Sequence, residues 1–220
     1  TVMMGNCGVG FAPLQPGDAP RLVRLMEGVE EIPGTVLYEG LDWKWRTFAD
    51  YLGRLEAQPH AINVAAQIPH DPVRLYVMGD RAARQEAATP DDLQQMGAIV
   101  REALLAGAFG FSTGRTDTHR TSDGLDTPAA RAAKEELVAL AAVLRGLPYR
   151  MLSAVSDFDM FAGDQNFDGE FDRLEEMARA AGRPMTISTM ERLGNPDQIK
   201  RIAARVDAAR QAGVDLRMQI

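Results

Sequence analysis

Few side chains of this 220-residue chain combine a reactive group with a place where a site could form. The single cysteine, Cys7, lies in the glycine-rich segment Gly5 to Gly10, directly after an apolar run at the start of the chain. A thiol in such a segment can be a metal ligand or a nucleophile when its thiolate is stabilised, whereas a lone cysteine can also be a small buried apolar residue. The segment does not spell the GxGxxG fingerprint of dinucleotide sites, and no helix is predicted directly after it. Cys7 is therefore a candidate ligand or nucleophile, with a buried structural thiol as the alternative.

Two further residues could carry protons, although the sequence assigns no catalytic residue. His70 follows Ile68 in a segment with a proline on each side, Pro69 and Pro72, which predicts a rigid loop. Its imidazole could act as an acid or a base near neutral pH, or could simply bond the backbone of that loop. Asp157 follows an apolar run and could serve as an acid, a base or a ligand, although most acidic loops are merely solvated. His70 and Asp157 are the candidates for acid–base chemistry.

Three polar side chains are candidates for substrate binding. Arg74 lies four residues after His70, and Ser112 and Arg115 lie in the segment Ser-Thr-Gly-Arg at the end of another apolar run. A guanidinium group binds a carboxylate through two parallel hydrogen bonds, so Arg74 and Arg115 predict an anionic substrate. The alternative for the second segment is an ordinary polar turn. GxSxG does not occur, and a hydrolase nucleophile elbow has no support.

All of these residues follow predicted strands. Short apolar runs alternate with segments of helical period, which predicts strands at about residues 1–4, 61–68, 107–113, 149–156, 184–190 and 214–220. Helices are predicted at about 90–106, 127–144 and 168–181, with Thr127 as an N-cap, and after the Asn195-Pro196 pair up to Gly213.

This alternation predicts an α/β fold with a parallel sheet, either a barrel or an open doubly wound sheet. Residues 1–220 are expected to form a single domain with an insertion at about 14–58. In both architectures ligands bind at the carboxyl ends of the strands, where the candidate residues lie.

The composition excludes several classes of protein. The chain has 24 Lys and Arg against 31 Asp and Glu and a net charge of −7, which argues against a nucleic-acid or polybasic membrane surface. One cysteine cannot form an internal disulfide, so we expect a cytoplasmic setting. No apolar run approaches the roughly 20 residues that span a bilayer, so no membrane partner is expected. The chain opens inside a predicted strand, which suggests a piece of a longer protein.

Several segments resemble those of a known protein family. The opening TVMMGNCGVGFAP, the segment LMEGVE at residues 25–30, WKWRTFADY at 43–51 and ALLAGAFGFST at 103–113 resemble the N-acyl-D-amino-acid deacylase (D-aminoacylase) family of the amidohydrolase superfamily. The resemblance covers nearly the whole chain and is strongest before about residue 125. It implies a metal-dependent, TIM-like (β/α)8 barrel that is incomplete in this chain, which would hold strands two to seven.

The resemblance also implies a zinc site. Cys7 matches the cysteine metal ligand of the family, and a zinc–thiolate bond is about 2.3 Å long. The family's HxH motif and its catalytic aspartate would lie outside these 220 residues. Where members carry two further histidine ligands, this chain has the segments 153–157 (SAVSD) and 187–190 (ISTM), so both histidines are absent.

The leading hypothesis is therefore a hydrolase of linear amide C–N bonds that acts on a small acylated amino acid. In the family's mechanism the metal polarises the acyl carbonyl and activates water, while an aspartate moves the proton. The remainder of the same polypeptide, or further copies of it, would be the macromolecular partner. Two alternatives stay open: a catalytically degenerate barrel that binds an acylated amino acid without cleaving it, and a metal-free amidase that uses His70 or Asp157 as its base.

Overall fold

The sheet of this protein has six parallel strands in the order in which they occur along the chain. The structure is a computed structural model and describes residues 1–116, 118–156, 158, 166–191 and 194–219. The strands are β1 (Val2–Met4), β2 (Val64–Pro69), β3 (Gly110–Arg115), β4 (Met151–Ser156), β5 (Met185–Ser188) and β6 (Leu216–Gln219). Each strand pairs in parallel with the next one. A doubly wound sheet would reverse its strand order at a switch point, so this unbroken order is that of a (β/α) barrel.

Helices fill the connections between the strands. They are α1 (Ala19–Glu30), α2 (Gly34–Gly40), α3 (Phe48–Glu56), α4 (His70–Met78), α5 (Asp80–Ala83), α6 (Pro90–Ala106), α7 (Lys134–Ala142), α8 (Phe167–Ala181) and α9 (Gln198–Gln211). The prediction for α6 is confirmed at both ends. Thr89 and Asp92 form a reciprocal capping box, and Pro90 occupies the first helical position. Across the described residues, every helix is too short or too polar to cross a bilayer.

The segment predicted as an insertion packs into the same core as the sheet. Residues 14–58 contain α1, α2 and α3 between β1 and β2. Leu25, Trp45 and Phe48 from this segment belong to one apolar cluster with Ile68 of β2 and Phe111 of β3. Burying such side chains is worth roughly 1.5–3 kcal/mol each, so the core fixes these helices against the sheet.

Two local predictions are wrong. Thr127 does not cap a helix, because α7 begins only at Lys134. The Thr127 carbonyl accepts a hydrogen bond from Gln85 and the Pro128 carbonyl accepts one from Arg74, so long-range bonds hold this backbone. His70 does not lie in a loop, because α4 begins at this residue directly after β2. Proline is tolerated in the first turn of a helix, where its missing N–H costs no hydrogen bond.

The strands have two different faces. On β4, the Ser156 hydroxyl donates to Glu170 of α8, so this side of the sheet packs against helices. The Ser153 hydroxyl, an odd number of residues away, bonds Gln67 of β2 and Thr186 of β5 instead. Successive side chains of a strand point to opposite sides of the sheet. We call the first side the helix layer and the second side the barrel face.

Candidate active site

The loop at residues 5–10 carries Cys7 across the carboxyl ends of the strands. Gly8 has φ of +87°, and a Cβ atom there would lie 2.5 Å from the backbone nitrogen of Gly114 on β3. The Gly8 carbonyl accepts a hydrogen bond of 2.9 Å from the backbone N–H of Asp71. This close approach requires glycine at position 8. The loop therefore holds Cys7 at the end of the sheet where barrel enzymes bind their ligands.

The thiol of Cys7 is buried beside negative charge. Its sulfur lies 4.0 Å from Oε1 of Glu30 at the end of α1. Burial and, to a smaller extent, the charges of Glu30 and Asp71 raise the pKa of Cys7 to about 11, against hydrogen bonds from the backbone. The thiol is neutral at pH 7 in this setting, and it lacks the electropositive surroundings that activate a cysteine nucleophile. This setting therefore gives no support to a nucleophilic role for Cys7, and a metal ligand and a buried structural thiol remain the two readings of the residue.

The described residues do not make a complete zinc site. Within that part of the chain, no group of three or more His, Cys, Asp or Glu side chains is placed to hold a metal ion. Catalytic zinc usually takes three protein ligands and a water molecule. Ser156 at the end of β4 donates to Glu170, and Thr189 after β5 bonds the backbone of Gln219. Asp157 lies outside the described residues. Among the described residues, Cys7 is thus the candidate soft ligand, and the Glu30 carboxylate lies 4.0 Å from its sulfur.

His70 is held on both sides inside the helix layer. Its Nδ1 lies 2.9 Å from the hydroxyl of Thr113, and its Nε2 lies 2.9 Å from Oε1 of Glu136. The ring is fully buried, and burial lowers the pKa of His70 more than the contact with Glu136 raises it. A neutral ring in this position donates from Nε2 to the carboxylate and accepts at Nδ1 from the hydroxyl. Both ring nitrogens are occupied, and His70 does not reach a substrate.

Arg74 belongs to the same buried network. Its Nε donates to Glu136 at 2.8 Å, and its other two nitrogens donate to the carbonyls of Pro128 and Glu86. Burial alone would raise the pKa of Glu136, but the hydrogen bond from His70 and the charge of Arg74 lower it overall. Only 1% of Arg74 is exposed, so its position does not offer the guanidinium to a substrate carboxylate. Arg74 and His70 together anchor α7 to α4.

Arg115 and Ser112 lie on opposite sides of β3. Arg115 donates from Nε to Glu170 of α8 at 2.7 Å and from a terminal nitrogen to the Ala132 carbonyl, so it too belongs to the helix layer. Ser112 is in register with Ser153, which places it on the barrel face. The Ser112 hydroxyl is buried and has no hydrogen-bond partner among the described residues. Of the three predicted substrate-binding residues, Ser112 alone lies on the barrel face.

A row of polar side chains crosses the barrel face. Nε2 of Gln67 donates to Ser153 at 3.0 Å, and the Ser153 hydroxyl lies 3.0 Å from that of Thr186. The Gln67 side chain crosses β3 over Gly110, where a Cβ atom would meet its Oε1 and would clash with the Met151 carbonyl. Oε1 of Gln67 is buried and finds no partner in the described part of the chain. Like Ser112, it presents an unused hydrogen-bonding atom.

Four residues of this region were missed from the sequence. Alternation along each strand could have placed Gln67 on the opposite side of β2 from Ile68, and Ser153 on the opposite side of β4 from Leu152. Glu136 and Glu170 gave no local signal, because Glu136 pairs with His70 at a separation of 66 residues and Glu170 pairs with Arg115 at a separation of 55.

The consecutive parallel strands and the helices between them define this chain as part of a (β/α) barrel. The sequence model of the amidohydrolase family matches residues 1–218, and the chain belongs to that family. D-aminoacylase of Alcaligenes xylosoxydans xylosoxydans is 36% identical over 138 residues, which cover 63% of this chain and 24% of that protein. N-acyl-D-glutamate deacylase of the same organism is 30% identical over 223 residues, which cover 100% and 40%.

Solved structures agree with these relatives. N-acyl-D-glutamate deacylase from Bordetella bronchiseptica, crystallised with zinc and a phosphonate inhibitor, superposes with a TM-score of 0.70 at 27% identity, covering 100% of this chain and 40% of that one. D-aminoacylase gives a TM-score of 0.68 at 25% identity, with coverage of 99% and 40%. The resemblance to N-acyl-D-amino-acid deacylases is thereby confirmed. The chain spans between 24% and 40% of the length of these relatives.

Proposed function

We propose that the protein containing this chain hydrolyses the amide bond of small N-acyl-D-amino acids. The observation that carries the proposal is the family match over residues 1–218, together with relatives that are named D-aminoacylase and N-acyl-D-glutamate deacylase. Because the chain spans at most 40% of those relatives, the proposal concerns the complete protein.

The residues of this chain have two parts in the proposed reaction. The loop that carries Cys7 forms one wall of the site at the carboxyl ends of the strands. Ser112 and Gln67 each present a buried atom without a hydrogen-bond partner among the described residues, and such atoms gain most when a ligand supplies the missing partner. We propose that they bind polar groups of the substrate, while the helix layer fixes β3 and the loop in place.

The test is hydrolysis by the complete protein. N-acetyl derivatives of alanine, leucine, aspartate and glutamate, each as D and L enantiomers, are incubated with the protein, and the released amino acid is quantified. We expect turnover of at least one D substrate, and faster turnover of that substrate than of its L enantiomer. Equal rates for the two enantiomers would overturn the proposed preference for D substrates. A complete lack of turnover would overturn the proposed hydrolase activity.

We also propose zinc as the cofactor of the complete protein. A solved relative was crystallised with zinc, and Cys7 lies at the carboxyl end of the sheet. Cys7 would be one ligand, and the others would come from parts of the polypeptide beyond the described residues. When bound, zinc supplies a Lewis acid and an activated water. The zinc content of the complete protein and of its Cys7→Ala variant tests this assignment.

A second candidate function is binding without hydrolysis. It is favoured by the segments after β4 and β5, which offer serine and threonine hydroxyl groups where the family resemblance implies histidine ligands. Calorimetry separates the two functions, because a binding protein would retain affinity for an N-acyl amino acid and would release no product. A metal-free amidase based on His70 lacks geometric support, because both ring nitrogens are occupied. If Asp157 were its base instead, Asp157→Asn would abolish turnover.

A further inference from the structure

An apolar cavity lies beside the loop that carries Cys7. It has a volume of about 140 Å³ and sits between this loop, the carboxyl ends of β1 and β2, and helices α1 and α3. The side chains that form most of its wall are Met4, Val9, Phe11, Met26, Phe48 and Tyr51. Val9 is two residues from Cys7 in the same loop, so the cavity adjoins the proposed site.

Aromatic contacts hold the wall of the cavity in shape. The indole N–H of Trp45 donates to the Phe11 carbonyl at 2.8 Å. The ring of Trp45 meets the edge of Tyr51 at a centroid distance of 5.5 Å, and Tyr51 contacts Phe48 at 5.6 Å. Rings that are packed against each other and tied to the backbone have little freedom to collapse into an adjacent space. The cavity is therefore a preformed feature of the fold.

The size and the lining of the cavity define the ligand that it can accept. A cavity of about 150 Å³ with an apolar lining accommodates benzene, and this one, which opens to solvent, has a similar volume. We propose that this cavity binds the hydrocarbon group of the amide substrate, up to about six carbons. The proposal rests on the proposed function. The hydrocarbon can belong to the acyl chain or to the amino-acid side chain, and the two share the same chemistry.

The experiment changes the size of the cavity through one residue. Met26 is half-buried, so Met26→Trp fills the space and Met26→Ala enlarges it without replacing a core residue. Val36→Trp adds the same ring at an exposed position in α2 and is the control. The complete protein is assayed with N-acetyl-D-alanine, N-hexanoyl-D-alanine and N-acetyl-D-phenylalanine, which separate the acyl chain from the side chain.

We expect Met26→Trp to lower kcat/KM at least about tenfold for one of the two larger substrates, with N-acetyl-D-alanine changed less than about twofold. The substrate affected shows which group occupies the cavity. Met26→Ala should raise kcat/KM for that larger substrate relative to N-acetyl-D-alanine. Val36→Trp should leave kcat/KM unchanged for all three substrates. Equal effects of Met26→Trp on all three substrates, or no effect, would overturn the proposal.

Direct binding measurements distinguish failure of the proposed hydrolase function from failure of the cavity proposal. If the wild-type protein cleaves none of the substrates, the affinities of N-hexanoyl-D-alanine and N-acetyl-D-phenylalanine are measured by calorimetry for the wild type and for Met26→Trp. Weaker binding of either compound by the variant would support the cavity as a binding site while the hydrolase fails. Equal affinities for both compounds, or no binding to either protein, would overturn the cavity proposal as well.

Discussion

The helix layer and the barrel face differ in whether their polar side chains are paired, although they flank the same six strands. In the helix layer, His70 and Arg74 converge on one carboxylate, Glu136, and Arg115 pairs with Glu170. On the barrel face of β2 to β5, the polar side chains are uncharged, and Ser112 and Gln67 each have a buried atom without a partner in the described part of the chain. Arg217 of β6, in register with Thr186, is exposed and pairs with Asp215.

The difference shows which residues are available for chemistry. A buried ion pair with saturated hydrogen bonds cannot turn to a substrate without leaving a charge unpaired, which costs several kcal/mol. A serine or an amide with an unused atom gains when a ligand arrives. Arg74 and Arg115 therefore hold the scaffold, and the uncharged polar residues Ser112 and Gln67 face the barrel interior.

Removing the carboxylate of Glu136, which His70 and Arg74 share, should cause the largest loss of stability. Glu136→Ala leaves Arg74 buried without its counter-charge, and we expect a loss of about 3–5 kcal/mol in the free energy of unfolding. Urea denaturation of the complete protein measures the loss. Glu135 precedes it on α7 and is exposed, so Glu135→Ala is the matched control and should change stability by less than about 0.5 kcal/mol. Similar losses of stability in the two variants would show that the buried pairing of Glu136 does not hold the helix layer together.

Asp71 gives the helix layer a dependence on pH. Burial raises its pKa from 3.8 to about 7, against the hydrogen bond from Ala129, the charge of Arg74 and a bond from Thr127. Because the folded pKa lies above the unfolded one, this stability is full below pH 3.8 and is lost as pH rises through about 7. The charge of Arg74 acts on Asp71, and the charge of Asp71 acts in turn on Cys7.

The corresponding variant is Asp71→Asn, which cannot titrate at this position. Between pH 5 and pH 8 the wild type should lose on the order of 2 kcal/mol more unfolding free energy than the variant does. Urea denaturation at several pH values measures both slopes. Parallel slopes would show that Asp71 is ionised throughout this range and that burial does not control its proton.

Arg115 separates a scaffold role from a substrate role. Arg115→Met removes its hydrogen bonds to Glu170 and to the Ala132 carbonyl while keeping much of the side-chain volume, and we expect a loss of about 1–2 kcal/mol in stability. Arg173 still pairs with Glu170, which limits the loss. The KM for an anionic N-acyl amino acid should stay within about twofold of the wild type. A much larger rise in KM at unchanged stability would move Arg115 from the scaffold to the substrate.

The smallest stability effects are expected on the barrel face. Ser112→Ala removes a hydroxyl that has no partner among the described residues, and stability should change by less than about 0.5 kcal/mol. Ser153→Ala breaks bonds to Gln67 and Thr186 and should cost about 1 kcal/mol. Thermal denaturation ranks the two variants. If Ser112→Ala is as destabilising as Ser153→Ala, then Ser112 is a structural residue and not a free site group.

Much of the fold follows from local patterns. Alternating periods predicted all six strands within a few residues, and the capping residues Thr89 and Asp92 explain why α6 begins at Pro90. The candidate site was harder to predict, because long-range pairing decides which polar side chains lie in the helix layer and which lie on the barrel face. Nothing near His70 or Arg74 in the sequence indicates that Glu136, more than 60 residues away, occupies both of them. The same reason explains Thr127, whose backbone bonds a distant side chain instead of starting a helix.

The most direct test of the account is the Cys7→Ala variant of the complete protein, with zinc content, melting temperature and kcat/KM measured together. Cys7 is the residue that we propose as a zinc ligand. We expect zinc to be lost and hydrolysis of the best N-acyl-D-amino acid to fall at least about 100-fold, with little change in melting temperature. Zinc content and kcat/KM equal to those of the wild type would contradict the account, because the chemistry would then lie away from the loop that carries Cys7.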